Sequence, residues 1–217
     1  MNLDYAYQGA RRGVPKVTDR AVLLAHGAGA DMHAAALTTV SAALSAAGIP
    51  SLRFHYPYRT EGKKFPDRPP VLLEATRRAI TELARRTKLP PDRLVIGGRS
   101  MGGRYCSLVA GDAEDPVPVL GLLLLGYPLH APGKPERERS EHFPRLTMPV
   151  LFVSGTRDSL AAKPSLTKAA RRVKGPKQYH WIESGDHGFK PLKASGLTVD
   201  GVLAAVARTA VAWVESL

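Results

Sequence analysis

The sequence predicts an α/β fold, in which helices cover both faces of a mostly parallel central sheet of about six or seven strands. Short apolar runs alternate along the chain with longer segments whose apolar residues recur at helical spacing. Runs without a polar residue, such as AVLLA at 21–25, are typical of strands buried on both faces of a parallel sheet. The 217 residues, 44% of them apolar, are enough to bury a core without disulfide bonds. We therefore expect a single domain over 1–217.

The strands and helices can be assigned in chain order. The first helix, at 34–47, carries Leu37, Val40 and Leu44 on one face and stops before Gly48, a residue type that often ends helices. The same spacing predicts further helices at 71–88, at 161–173 and at 199–217. Another helix is predicted after the strand at 93–96, and its pattern continues through 107–110. Runs rich in branched or aromatic residues predict six strands, at 21–25, 51–55, 93–96, 119–125, 150–154 and 178–182. Parallel strands joined through helices place their carboxyl ends on one rim of the sheet, where binding sites form.

Two long irregular segments, 57–70 and 127–149, each follow a predicted strand and should lie near that rim. The second contains Pro128, Pro132 and Pro135, which stiffen it. We expect it to form a short, cap-like loop at about 127–147. A cap of this size favours an open site over a deep tunnel.

The strongest motif is Gly98-x-Ser100-x-Gly102, which falls between a predicted strand and a predicted helix. This is the pattern of a nucleophile elbow, where the serine occupies a strained turn. Neighbouring backbone passes too close for a Cβ atom two residues to either side, which explains both glycines. The chemistry predicted for Ser100 is nucleophilic attack on a carbonyl carbon.

A second glycine-rich loop, His26-Gly27-x-Gly29, follows the strand at 21–25. Acyl transfer requires two N–H donors for the oxyanion, one from the residue after the nucleophile and one from a loop such as this. We predict that these donors belong to Met101 and Ala28, with Gly29 as the alternative to Ala28. His26 is expected to brace the loop rather than to transfer protons.

A serine nucleophile also needs a histidine base and a carboxylate that orients it, in the chain order Ser, acid, His. His180 and His187 are the histidines that follow both the elbow and a plausible acid, and His180 lies inside a predicted strand. His187 lies in a loop after the last strand, and Asp158 follows the strand at 150–154. The predicted catalytic triad is therefore Ser100, Asp158 and His187.

These motifs together resemble the α/β-hydrolase superfamily over nearly the whole chain. The segments RFHYPYR at 53–59, GGRSMGGR at 97–104 and GYPLHAPGKPE at 126–136 resemble the branch that contains testis-expressed protein 30 and related bacterial hydrolases. The resemblance implies an α/β-hydrolase fold with a minimal cap and with short or missing first strands. It extends loosely to dienelactone hydrolases, but Ser100 replaces their cysteine nucleophile, so their lactone chemistry does not transfer.

Four residues near the rim are candidate substrate contacts: His26, Gly29, Arg59 and His130. Arg59 lies in a basic loop that could bind a carboxylate or phosphate, although a solvated loop is the favoured interpretation. Arg99 and Arg104 are expected to anchor the rim loops.

The function predicted is that of a serine hydrolase that cleaves a small carboxylic ester or thioester, without a metal or organic cofactor. The net charge of +12 leaves an alternative, a non-catalytic interaction module that binds an acidic partner. The branch that the chain resembles includes a subunit of a chromatin-modifying complex, which supports that alternative.

No helix-turn-helix, zinc or RNA-binding pattern is present, so nucleic acid is not the expected partner. No membrane span or secretory signal is visible, which predicts a cytoplasmic protein, and its oligomeric state is left open.

Overall fold

The computed structural model describes residues 3–217, and its centre is a seven-stranded sheet. The strands are β1 (Tyr5–Gln8), β2 (Ala21–Ala25), β3 (Ser51–Phe54), β4 (Leu94–Arg99), β5 (Gly121–Leu125), β6 (Val150–Gly155) and β7 (Lys177–Ile182). Their order across the sheet is β1-β3-β2-β4-β5-β6-β7. Only β1 is antiparallel to its neighbour, β3, within the described residues. The predicted mostly parallel sheet is confirmed.

Helices cover both faces of the sheet. They are α1 (Ala35–Ala46), the single turn α2 (Pro57–Thr60), α3 (Pro69–Thr87), α4 (Met101–Ala110), α5 (Lys163–Ala170) and α6 (Val199–Glu215). Helices α1 and α6 pack on one face, and α3, α4 and α5 pack on the other. Over residues 3–217, no helix combines the length and the apolar character needed to cross a bilayer.

Side-chain alternation along the strands divides the core into two layers. In β2, Val22 and Leu24 pack toward α1 and α6, whereas Leu23 packs toward α3 and α4. All five residues of β2 are fully buried, as its unbroken apolar run predicted. Burial on both faces fixes the register of this central strand, and therefore the position of the loop that follows it.

The sequence prediction missed two elements. Strand β1 pairs with β3 through partners such as Tyr5 and Phe54, but its YAYQ sequence is partly exposed and lacks an apolar run. Helix α2 is a single turn that begins at Pro57, inside a segment predicted to be irregular. Strand β4 also extends through Arg99 rather than ending at Ile96, because Gly97 and Gly98 continue the pairing with β5.

The crossover pattern places a crevice between β2 and β4. The chain passes from β2 outward to β3 and then back across β2 to β4, so the loops after β2 and β4 diverge to opposite faces. Such a switch point, at the carboxyl ends of the strands, is where open α/β sheets form their sites. The segment 127–148 joins β5 to β6 beside this crevice and contains a single short 3-10 turn, Phe143–Arg145.

Candidate active site

Ser100 lies in the sharp turn between β4 and α4. Its φ of 50° and ψ of −114° are strained for a residue with a side chain. The Ser100 N–H donates to the Leu125 carbonyl at 2.9 Å, which holds the turn in place. A Cβ on Gly98 would lie 2.0 Å from the Ala25 carbonyl oxygen, and a Cβ on Gly102 would lie 2.3 Å from the same atom. The steric reason predicted for these two glycines is confirmed.

Three polar side chains form one hydrogen-bonded row at this turn. The Ser100 Oγ lies 2.9 Å from His187 Nε2, and His187 Nδ1 lies 2.9 Å from both oxygens of Asp158. The Asp158 side chain is completely buried and accepts further hydrogen bonds from the Leu160 N–H and the Ser154 hydroxyl. An ionised carboxylate only accepts, so Nδ1 carries the imidazole proton and Nε2 is free to accept from Ser100.

The loops after β6 and β7 bring Asp158 and His187 together. The Thr156 N–H donates to the Ile182 carbonyl at 3.0 Å, and the Arg157 N–H donates to the Gly185 carbonyl at 2.9 Å. These bonds join the loop that carries Asp158 to the loop that leads to His187. The residues are 29 positions apart in sequence, and adjacent parallel strands place them at the same rim.

The loop after β2 faces Ser100. Ala28 in this loop is exposed and lines the same surface as Ser100 and Met101. Met101 is the first residue of α4, so its N–H is one of the amides that a helix leaves without an internal partner. The Tyr58 hydroxyl donates to the Ala28 carbonyl at 2.7 Å and so holds this loop in place. Tyr58 could not be recognised from the sequence as part of this site, because the contact joins residues 30 apart across the rim.

His26 braces the same loop from the interior. It is fully buried, its Nδ1–H donates to the Gly27 carbonyl at 2.8 Å, and its Nε2 accepts the Tyr56 N–H at 3.1 Å. Burial lowers the pKa of His26 to about 4, so the ring is neutral near pH 7. Because the ring is buried and both nitrogens are engaged, the geometry gives no support to His26 as a substrate contact.

Two clefts meet at Ser100 and Ala28. We name the first the alanine cleft, of about 430 Å³, lined by Gly29, Ala30, Ala34, Arg99, His187 and Leu203 among others. We name the second the arginine cleft, of about 420 Å³, lined by Asp67, Met101, Arg104, Tyr105, Arg139 and Leu160 among others. The Ser100 hydroxyl is therefore open on two sides.

Arg99 anchors the rim, as predicted. Its Nη1 donates to the carbonyls of Leu125 and Gly126, and its guanidinium lies 4.7 Å from the centre of the Phe189 ring. Burial lowers the pKa of Arg99 to about 10, although the nearby carboxylates of Asp158 and Asp186 act in the opposite direction. Arg99 is thus held by main-chain carbonyls beside Ser100.

The remaining predicted substrate contacts divide into one that lies at the clefts and two that do not. Gly29 lines the alanine cleft together with Ser100. Arg59 instead lies 3.7 Å from the Asp31 carboxylate, and His130 Nδ1 contacts the Ala131 carbonyl at 2.9 Å. Among residues 3–217, the lining of the two clefts includes neither Arg59 nor His130. The geometry therefore gives no support to these two as substrate contacts.

A second serine–histidine pair differs from the first in its proton arrangement. Ser107 Oγ lies 2.8 Å from His142 Nε2, but the Ser107 hydroxyl donates to the Arg104 carbonyl, so His142 must be the donor. His142 Nδ1 is buried without a hydrogen-bond partner within the described chain, and burial lowers the pKa of His142 to about 3. This pair joins the 127–148 segment to α4 and cannot activate its serine.

Other histidines near the rim do not form a metal site. His55 lies 3.4 Å from the Asp4 carboxylate and packs edge-on against His26 and His33. In the part of the chain that the structure describes, no three histidine, cysteine, aspartate or glutamate side chains are grouped so as to hold a metal ion.

Comparison of the fold with solved structures finds close matches over nearly the whole chain. An alpha-beta serine hydrolase homologue from Coxiella burnetii superposes with a TM-score of 0.74 at 17% identity, over 97% of this chain and 90% of that chain. Est1E from Butyrivibrio proteoclasticus, solved with ferulic acid, gives 0.75 at 15% identity, over 99% and 94% of the two chains. A dienelactone hydrolase from Anabaena variabilis gives 0.68 at 20% identity, over 99% and 98%. These matches establish a common fold.

Comparison of the sequence with protein families gives the same result. The family described as the alpha/beta hydrolase domain matches residues 18–215, which include β2 to β7, the elbow and the Ser100–His187–Asp158 row. The superfamily predicted from the sequence is therefore confirmed, while the narrower branch that resembles testis-expressed protein 30 stays a prediction. This chain belongs to the alpha/beta hydrolase domain family.

Proposed function

We propose that this protein is a serine hydrolase that cleaves a carboxylic ester or thioester through an acyl-enzyme on Ser100. The observation that carries the proposal is the continuous row from Ser100 Oγ through His187 to the buried Asp158 carboxylate, at 2.9 Å per step. That row opens onto two clefts, as nucleophilic attack on an external substrate requires. The similarity in fold to Est1E and to an esterase domain from Rhodothermus marinus supports an ester as substrate.

In the first half of the reaction, Ser100 Oγ attacks the substrate carbonyl carbon while His187 Nε2 takes the hydroxyl proton. Asp158 holds the imidazole in the required tautomer and stabilises the imidazolium that forms. The Met101 and Ala28 N–H groups donate to the oxyanion of the tetrahedral intermediate. The intermediate then expels the alcohol or thiol, which receives the proton from His187, and the acyl group stays on Ser100.

In the second half, water attacks the acyl-enzyme. His187 removes a proton from the water, and the same two amides bind the second oxyanion. Collapse of this intermediate releases the carboxylic acid and returns the proton to Ser100 Oγ. Side chains of this chain and water supply every proton transfer in this scheme. We also propose that the protein acts in the cytoplasm.

Replacement of the nucleophile tests the proposal. Ser100→Ala should lower kcat for a short-chain p-nitrophenyl ester by about 10⁵- to 10⁶-fold, because the three residues act as a unit. Ser107→Ala is the matched control, since it removes the other serine hydroxyl that contacts a histidine, and it should retain activity per folded molecule. A loss of less than tenfold in Ser100→Ala on the best substrate would overturn the mechanism.

The same experiment distinguishes the serine hydrolase from the alternative that the net charge suggests, a non-catalytic interaction module. A non-catalytic module would show no Ser100-dependent turnover of esters or thioesters while remaining folded. It would instead bind an acidic protein with an affinity that falls steeply as salt is raised.

A further inference from the structure

The position of His187 assigns the two clefts to different parts of the substrate. When the tetrahedral intermediate collapses, His187 Nε2 must give its proton to the leaving oxygen or sulfur, so the leaving group lies on the His187 side. His187 lines the alanine cleft, whereas Met101, whose amide is a proposed oxyanion donor, lines the arginine cleft. The leaving group therefore occupies the alanine cleft, and the acyl chain extends into the arginine cleft.

Two arginines, Arg104 and Arg139, line the cleft in which the acyl chain would lie. Arg104 is four residues after Ser100 on α4, so it lies one helical turn from the nucleophile on the same side of the helix. Its guanidinium lies 5.5 Å from the centre of the Tyr105 ring. Arg139 comes from the opposite wall, where its N–H donates to the Leu129 carbonyl and its carbonyl accepts from the Tyr127 hydroxyl. The Tyr105 ring thus positions the Arg104 guanidinium, and main-chain hydrogen bonds hold the backbone of Arg139 in the opposite wall.

Within residues 3–217, no carboxylate forms an ion pair with either arginine. Neither Arg104 nor Arg139 has a carboxylate within 4.0 Å among residues 3–217, and Arg104 Nε is buried without a hydrogen-bond partner there. Burial, and then repulsion from Arg104, lower the pKa of Arg139, whereas Tyr127, Tyr105 and the Glu141 carboxylate act in the opposite direction. Asp67 on the cleft wall accepts the Tyr58 N–H. Among the residues that line the cleft, one carboxylate stands against two guanidinium groups, which gives the lining a formal net charge of +1.

We propose that the acyl group of the substrate carries a carboxylate, which binds Arg104 and Arg139 in the arginine cleft. The substrate would then be a half-ester or half-thioester of a dicarboxylic acid. Guanidinium groups bind planar carboxylates through paired N–H donors, and a single negative charge matches the net charge of the cleft. This inference rests on the proposed function, because it assigns the substrate class of the same site.

A matched pair of esters tests the proposal. Mono-p-nitrophenyl adipate and p-nitrophenyl hexanoate share a leaving group and a six-carbon acyl chain, and they differ in a terminal carboxylate against a terminal methyl group. The ratio of their kcat/KM values should favour the adipate by about 10- to 100-fold, as expected for charge-assisted hydrogen bonds. In the double variant Arg104→Gln/Arg139→Gln, the ratio should fall to about 1.

The ratio does not depend on the fraction of folded enzyme, since both esters are measured on one sample. Arg137→Gln is the matched control, because this arginine lies two residues before Arg139 in the same segment but its side chain is 76% exposed. It should keep the preference of the unaltered protein for the adipate. An adipate preference that persists in the double variant would overturn the proposal.

Further outcomes separate this inference from the proposed function. Ser100-dependent hydrolysis of the hexanoate without any preference for the adipate would overturn the inference alone. A preference found only with 4-carboxyphenyl hexanoate over phenyl hexanoate would place the anion on the leaving-group side and would overturn it as well. If Ser100 hydrolyses neither ester and reacts with no fluorophosphonate probe, the proposed function is wrong, and the inference falls with it.

Discussion

The two buried histidines, His26 and His142, should make the fold sensitive to mild acid. Burial lowers their pKa values to about 4 and about 3, from an ordinary value of about 6.5. Between pH 6.5 and the folded-state pKa values, the unfolded chain binds protons that the folded chain does not. The free energy of unfolding must therefore fall as the pH is lowered. The loss begins near pH 6.5 and is complete only below the folded-state pKa values.

The size of the effect follows from the same values. At pH 5 each unfolded histidine is almost fully protonated while its folded counterpart is almost fully neutral. The linkage relation then gives a loss of about 2 kcal/mol for each histidine between pH 7 and pH 5, or about 4 kcal/mol for both. That is a large part of the stability of an ordinary domain.

Urea unfolding at pH 7 and pH 5, followed by the fluorescence of the buried Trp213, measures this loss. In His142→Gln the difference between the two free energies of unfolding should shrink by about 2 kcal/mol, whatever the substitution does to stability at pH 7. His33→Gln, at an exposed histidine, controls for the loss of a histidine as such. An unchanged difference in His142→Gln would refute the reasoning that this ring is kept neutral by burial.

Three further predictions concern the site. Asp158→Asn should lower kcat by about 10⁴-fold, because an amide can donate to His187 Nδ1 and so favours the wrong tautomer, which ester hydrolysis kinetics would reveal. Gly102→Ala should lower both the urea midpoint of unfolding and the rate of ester hydrolysis, since its Cβ would lie 2.3 Å from the Ala25 carbonyl oxygen. Activity and stability equal to those of the unaltered protein would contradict this. Tyr58→Phe should lower kcat by about tenfold with little change in KM, because Ala28 loses the 2.7 Å hydrogen bond that fixes its loop, and a change in KM alone would argue against that role.

Much of the fold was predictable because the central strands are buried on both faces. An apolar run such as AVLLA in β2 leaves little choice of structure, and the predicted limits of this strand agree with the observed ones. Strand β1 escaped prediction for the opposite reason, since an edge strand with partly exposed residues needs no apolar run. Its place in the sheet depends on pairing with β3, which is about 45 residues away along the chain and leaves no local pattern.

Features of the site that depend on local contacts were predictable, whereas those that depend on long-range contacts were not. Gly98 and Gly102 were predictable from sterics at one turn, and the chain order limited the choice of acid and base. The pairing of Arg59 with Asp31 and the complete burial of His26 depend on contacts between loops far apart in sequence. The unbalanced charges of Arg104 and Arg139 likewise become visible only when α4 and the 127–148 segment form the walls of one cleft.

Reaction of the folded protein with a fluorophosphonate probe, followed by peptide mass spectrometry, tests the central claim most directly. The probe reacts with a serine whose hydroxyl is activated by a base and whose oxyanion hole is formed. We expect a single adduct on Ser100, absent from Ser100→Ala and present in Ser107→Ala. A folded protein that carries no adduct, or carries it on another residue, would contradict the assignment of Ser100 as an activated nucleophile.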